Sequence, residues 1–502
     1  MTFLKKVTEH ICNKYSEDLA NICIVLPNRR AGLYIKKYIS QKMQKVIWAP
    51  SVFSVEDFAC HITGIKVADP VNLIFDFYSI YKNKEGEKAQ PFNEFINWAS
   101  VLLNDYNDAD LNLADTEGLF KYLNETKAMS LWNLEGEPLT DHEKFYLKFY
   151  NSLSNYYKDF VELLLKKNTA YPGLINKKAA GNIDEYANTT NYKCVIFAGF
   201  NALTASEEKI IKSLLKAGKA EIFWDAEKYY VDNEIQEAGL FIRKYRKEWD
   251  LKEFNWLEDN LGKGEKNITI TGVPLKIGQT ELAGQILSEI DEKIANSENT
   301  ALVLADENLL IPMLYAIPEN IKHINITMGY PLTNSSVYNL FTNLFLLHEN
   351  SLKYSSNIVV KFYFKDIINL LNSSILRMFE INDKNRSCVF KLQEYIKKSN
   401  RIFLTYDEIC LHLKDTPILP FFEPVENNSV ALLNKFTTLT TIIKDTLILN
   451  KKEGLKYSEM DMEYLFNFAV IVAQTRNLLT TYNFVNDIKT LRKIIKSLVE
   501  TS

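Results

Sequence analysis

A chain of 502 residues exceeds what one hydrophobic core supports and points to about two to four domains. Hydrophobic residues make up 47% and charged residues 24%, which marks a globular chain rather than a disordered one, and no apolar run is long enough to cross a membrane. The net charge of −4 conceals a basic start, because Met1 to Trp48 holds nine Lys or Arg against three Asp or Glu. That surplus fits a nucleic-acid partner or a solvated helix face equally well.

In chain order, Thr2 to Leu19 reads as a charged amphipathic helix without a signal-peptide core. Ile22 to Leu26 is an unbroken apolar run rich in β-branched residues, as a strand buried on both faces requires. Pro27 has no amide to give a ladder and stops the strand. Asn28 then caps a helix from about Arg29 through Lys37, with Leu33, Tyr34 and Lys37 alternating around its apolar and solvated faces. A strand, a sharp turn and a helix mark the carboxyl edge of a parallel sheet, where α/β proteins bind ligands. Arg29 and Arg30 stand there beside free helix amides, and both favour an anion such as a nucleic-acid phosphate. A capped helix with two solvated arginines is the structural alternative.

Val46 to Ala49 reads as a second buried strand with Trp48 in the core, and Ser54 with Asp57 forms a capping box for the next helix. From about Cys60 to Tyr192 the strand signal gives way to apolar residues at helical spacing, an all-helical block inserted into the α/β domain. The α/β pattern returns with Cys194 to Ala198 as a strand, a capping box at Thr204 and Glu207, and Ala220 to Trp224 as another strand, with Trp224 in the core. A loop around Asn260 to Lys266 marks a domain boundary. Beyond it Ile268 to Val273, Ala301 to Ala305 and Ile324 to Thr327 read as strands of a second sheet. From about Ser335 the chain is helical again, with a proline-broken turn at TPILPFFEP. Three strands are too few for a closed doubly wound sheet, so the polypeptide is expected to be the N-terminal part of something longer.

Six cysteines (Cys12, Cys23, Cys60, Cys194, Cys388 and Cys410) are scattered with no CxxC pair, and the six histidines are equally dispersed. The expectation is reduced thiols in a cytoplasmic protein and no zinc site.

The stretches VLPNRRAGLYIKKYI, VIWAPSVFSVEDF, FNEFINWASVLLNDYNDADLNL, CVIFAGFNALTASEEKIIKSLL and ALVLADENLLIPMLYAIP with INITMGYPL occur in one order from residue 22 to about 340. In that order the chain resembles the N-terminal part of the AddB-type subunit of the bacterial AddAB helicase–nuclease, a PD-(D/E)XK nuclease family protein. Residues 341 to 502 match only as a generic helical block. The resemblance implies a superfamily 1 helicase core, with two RecA-like, P-loop NTPase-like α/β domains carrying large all-helical insertions. Residues 1–59 and 193–262 would form the first RecA-like domain, interrupted by a helical subdomain at 60–192. Residues 263–340 would form an incomplete second one, followed by a helical subdomain at 341–502. The implied setting is DNA double-strand break end processing in recombinational repair, with DNA and an AddA-type helicase–nuclease subunit as partners.

ATP chemistry needs a GxxxxGK[ST] loop whose amides wrap the phosphates, and the sequence has none. Gly218-Lys219 is followed by Ala220 and comes after a helix rather than a strand. The metal-binding acid at the end of a strand is replaced by Ala198 in CVIFAGF. Both halves of the ATP site are therefore missing, and the helicase fold reads as inactivated. Nuclease chemistry needs an Asp and a (D/E)xK on adjacent strands. Glu125-Thr126-Lys127 and Glu207-Glu208-Lys209 match the tripeptide but lie on predicted helices. In the family the nuclease, with its Mg²⁺, lies near the C-terminus, outside this chain. Asp105, Asp108, Asp110 and Asp115 read as a solvated turn and helix cap, since no Gly turn fixes a calcium loop.

Binding remains. Helicases of the family pass single-stranded DNA over strand–helix turns, and the matching positions are Asn28, Arg29, Arg30, Ser51 and Ser54 in the first domain. Thr327, Gly329 and Tyr330 match in the second, with Tyr330 able to stack on a base or to pack beside Pro331. A non-catalytic DNA-binding scaffold leads. A divergent ATP-dependent DNA helicase and a helical protein-binding adaptor are the alternatives.

Overall fold

The computed structural model describes residues 2–44, 46–124, 141–249, 257–263, 265–290, 300–356, 359–452, 459–482 and 485–501. The chain divides into two compact units, Met1–Lys266 and Asn267–Ser502.

The first unit is built on a four-stranded sheet of β1 (Ile22–Leu26), β2 (Ser51–Ser54), β3 (Cys194–Ala198) and β4 (Ala220–Phe223), in the order β2-β1-β3-β4. All neighbours are parallel, with Cys23 opposite Ser51, Ile22 opposite Cys194 and Val195 opposite Ala220. The two central strands are buried along their whole length, as their unbroken apolar sequences demand. On one face Ile24, Ile196 and Ala198 pack with Val7 and Ile11 of α1 (Phe3–Lys14) and with Ile35 and Ile39 of α2 (Arg29–Met43). Phe197 points to the other face, where its ring lies 5.9 Å from Phe58 of α3 (Val55–Thr63).

Two details depart from the sequence reading. The inner face of α2 is Gly32, Ile35 and Ile39, and Leu33 stands 68% exposed. An added Cβ at Gly32 would lie 3.1 Å from the Val52 side chain of β2, so the helix packs closely on that strand. The second strand is Ser51–Ser54 rather than Val46–Ala49. Leu26, the last residue of β1, pairs with Ser54, the cap of α3, so the ladder counts back from that cap to Ser51. Pro50 offers no amide to extend it. Trp48 is consequently 87% exposed instead of core, whereas Trp224 is buried and stacks 5.4 Å from Tyr245.

Between β2 and β3 the chain forms α4 (Pro70–Glu85), α5 (Phe92–Leu111), α6 (Thr116–Asn124), α7 (Asp141–Lys166) and α8 (Pro172–Thr189), and α9 (Ala205–Lys216) joins β3 to β4. The block is not wholly helical. Lys66–Val67 and Thr169–Ala170 pair in parallel where its entering and leaving segments meet. At its centre the Asp110 carboxylate accepts from Tyr157 and Tyr171 at 2.6 Å each and from Lys177 at 2.7 Å. Asp110 is therefore a buried crosslink of α5, α7 and α8, not part of a solvated turn.

In the second unit, the three segments expected as strands, Ile268 to Val273, Ala301 to Ala305 and Ile324 to Thr327, form no ladder. Ile270 is 92% and Val303 86% exposed. Their alternation has no neighbouring strand to complete it, and a strand pattern without a partner leaves both faces and backbone in water. The following residues form a helical core in which Phe341 of α10 (Ser336–Tyr354) stacks 4.1 Å from Phe468 and edges onto Phe436 of α11 (Ser429–Lys452). One antiparallel ladder, Lys361–Tyr363 with Phe403–Thr405, interrupts the expected all-helical stretch. Three residues are too few for alternation to show in sequence.

Candidate functional site

The strand order reverses between β1 and β3, and their carboxyl ends define the crevice where open α/β sheets take ligands. On the β1 side Asn28 is extended, and its Oδ1 accepts the Ala31 amide at 2.9 Å, which starts α2. On the β3 side comes Gly199, in the left-handed region at φ +79°. A Cβ there would sit 3.5 Å from the Phe3 ring, an ordinary van der Waals contact, so the first turn of α1 lies beside this turn.

Arg29 is latched. Its Nε donates to Asp57 Oδ2 at 2.9 Å and its Nη2 to Oδ1 at 2.7 Å, a bidentate pair across the turns that follow β1 and β2. The guanidinium holds the Asp57 carboxyl below its ordinary range, against the opposing effect of burial and with help from the Ser54 hydroxyl. Arg30 is exposed and carries no ion pair among the described residues.

The serines face inward. Ser54 is buried, accepts the Asp57 amide at 3.1 Å and donates to its carboxylate at 2.8 Å. Ser51 accepts from Tyr192 Oη at 2.9 Å. Asn28, Arg29, Arg30 and Ser54 thus meet at one sheet edge, with Ser51 at the other end of its strand. Thr327, Gly329 and Tyr330 belong to the second unit. Thr327 and Gly329 are exposed in irregular chain, and the half-buried Tyr330 ring lies 6.0 Å from Tyr464.

A cleft of about 400 Å³ beyond β3 and β4 escaped the sequence reading. Its lining includes Asn201, Asp225, Glu227, Tyr230 and Glu258. Burial raises the Asp225 carboxyl, Lys6 pairs with Glu258, and Glu227 accepts the Asn260 and Leu261 amides at 3.2 Å each. The signal was the run WDAE directly after a strand. The sheet edge is therefore basic at the end of β1 and acidic at the end of β4, so an anion is favoured only on the first side.

Ala198 is buried in the sheet core, and Gly218 turns at φ +66° from a helix into β4. Glu207 closes the capping box with Thr204, and Glu208 takes Lys212 and Lys244. Glu125-Thr126-Lys127 lies outside the described residues. Among the described residues no group of His, Cys, Asp and Glu is set to hold a metal, and no helix is long and apolar enough to cross a membrane. In comparison with known proteins, no family model and no curated sequence matches the chain.

Proposed function

We propose that this chain is a non-catalytic, helicase-like part of an AddB-type helicase–nuclease subunit that holds DNA beside an AddA-type partner during processing of double-strand ends in the cytoplasm. The observation that carries the reading is the turn after β1. A capped helix N-terminus, an outward Arg30 and the outer edge of Arg29 stand at the switch point of a parallel sheet. The exposed Tyr34 and the Lys5–Tyr38 pair extend this face with rings and cations suited to a single strand.

Salt titration of single-stranded DNA binding tests it. Arg30→Ala flattens the slope of log K against log salt by about 0.7, the value for one phosphate contact on a single strand. Arg29→Ala does less, because Asp57 already holds that guanidinium. An unchanged slope in the Arg29→Ala/Arg30→Ala double variant would make the turn architecture alone.

The non-catalytic part of the reading has its own test. With Ala198 in place of a metal-binding acid and no glycine-rich phosphate loop with its Lys in the sequence, little offsets the desolvation of a triphosphate. Calorimetry is expected to detect no ATP binding, and micromolar binding would overturn this part.

A further inference from the structure

The second unit holds an amine with unusual surroundings. Lys435 of α11 reaches back between two other elements. Its Nζ lies 3.1 Å from Nε2 of His348 on α10 and donates to the carbonyls of Phe421, at 3.2 Å, and of Glu423. Phe421 and Glu423 belong to the turn around the short helix Leu419–Phe422. His348 is 1% exposed. Lys435 also lines a cleft of about 330 Å³ whose walls are Pro420, Pro424, Val425 and Leu439 and whose rim carries Glu423 and Glu426.

No carboxylate bonds the amine directly among the described residues; its partners are two neutral carbonyls and an imidazole. Burial therefore outweighs the more distant attraction of Glu423 and draws the amine down to about 7. The same burial, with the Lys435 charge, holds His348 well below its ordinary value, and its Nε2 lies within hydrogen-bond reach of Nζ. A neutral amine beside a neutral imidazole, opening on an apolar cleft, is the arrangement of a nucleophilic lysine.

We propose that Lys435 is a nucleophilic amine that condenses with small uncharged aldehydes seated in the cleft bounded by Pro420, Pro424, Val425 and Leu439. The Nζ lone pair attacks the carbonyl carbon and forms the C–N bond. The two protons that leave Nζ pass in turn through His348 to the former carbonyl oxygen, which departs as water, and an imine remains. No electrons change hands. Cleft size and rim charge set the class of ligand. The volume lies at the small end of ligand sites, and Glu423 and Glu426 repel anionic carbonyl compounds.

Reductive alkylation with propanal and cyanoborohydride, read lysine by lysine by peptide mass spectrometry on the folded chain, tests this. At pH 7 about half of the Lys435 amines are neutral, against roughly one in three thousand for an ordinary lysine. Allowing for lower intrinsic nucleophilicity and restricted entry, Lys435 is expected to react at least about ten-fold faster than exposed Lys397 and Lys398. The lead shrinks at pH 9, where surface amines gain neutral form and Lys435 has little left to gain. His348→Gln slows Lys435 and leaves Lys397 and Lys398 unchanged, and the wild-type pH profile stands by itself if that variant fails to fold. Anionic glyoxylate labels Lys435 more slowly than propanal does. Labelling of Lys435 at or below the surface rate at pH 7, or a preference for glyoxylate, overturns the proposal and leaves the amine as a clamp between α10 and α11.

Discussion

Ile196 and Ile270 are the same residue in similar β-branched runs, yet one is fully buried and the other almost fully in water. Ile196 lies in β3, flanked by β1 and β4, with α1 and α2 above its side chain. Ile270 lies in a segment with no ladder partner. The contrast teaches that β-propensity describes fitness for a pleated, half-buried surface and does not create one. The first unit supplies neighbours on both sides of its central strands, and among the described residues the segment from Asn267 to Ser335 does not.

The largest test of that contrast is a charge at each position. Ile196→Asp buries a carboxylate without a partner and is expected to cost about 5 kcal/mol or more, enough to unfold the first unit. Ile270→Asp should stay within about 0.5 kcal/mol. All six tryptophans lie in the first unit, so tryptophan emission during urea unfolding follows that unit, while helical circular dichroism follows both. A large loss from Ile270→Asp would show that its segment is packed after all.

pH separates the units next. Lys435 in the second unit has a folded value of about 7 against an ordinary 10.5, so between those limits the unfolded chain binds more protons than the folded one. Stability therefore rises with pH across that window, by on the order of a few kcal/mol in all. In the first unit the Glu221 carboxyl is opposed by burial but held below its ordinary value by Lys14, Tyr15 and His10, and Asp57 is lowered by Arg29. Their contribution is complete above the ordinary carboxylate range and is lost as pH falls through the lower folded values. From about pH 7 to 8, below the range in which the buried first-unit cysteines begin to cost stability, the tryptophan midpoint is expected to stay level while the second unit gains. Lys435→Met should flatten that gain. A level second-unit transition in the wild type would mean that the amine keeps its ordinary affinity for protons.

The smallest effects come from features the two units share. Asn28 caps α2 and Ser335 caps α10, each through a side-chain oxygen accepting a first-turn amide. Replacing either by Ala is expected to cost about 1 kcal/mol by urea midpoint. Equal losses would show that local caps act independently of whether the preceding chain found a sheet.

Caps and buried strands were legible because both are written within a few adjacent residues. Asn28, Ser54 and Thr204 cap as their spacing required, and β1, β3 and β4 sit within one residue of their apolar runs. The rest depends on distant partners. The start of β2 follows from its ladder with β1, which no local pattern encodes, and KVIWAP read as strand because it is apolar. At the candidate site the turn was legible, but the Asp57 latch on Arg29 joins residues on two different helices. Lys435 meets His348 from far along the chain and carried no signal that spacing could reveal.

The pairing of Ile22 with Cys194 bears on how the molecule comes to be made. The first half of the sheet is synthesised long before the second, with the whole helical block between. Emerging from the ribosome, β1 and β2 have only each other, and a two-stranded parallel ladder is too weak to persist. The block has local contacts and an internal crosslink at Asp110, so it can condense first and bring its entering and leaving segments together through the Lys66–Val67 ladder with Thr169–Ala170. That closure would shorten the loop β3 must span to dock on β1, and assembly ends only when Glu258 arrives to meet Lys6. A nascent chain halted before residue 194 would thus display the apolar edge of β1, a natural substrate for a chaperone.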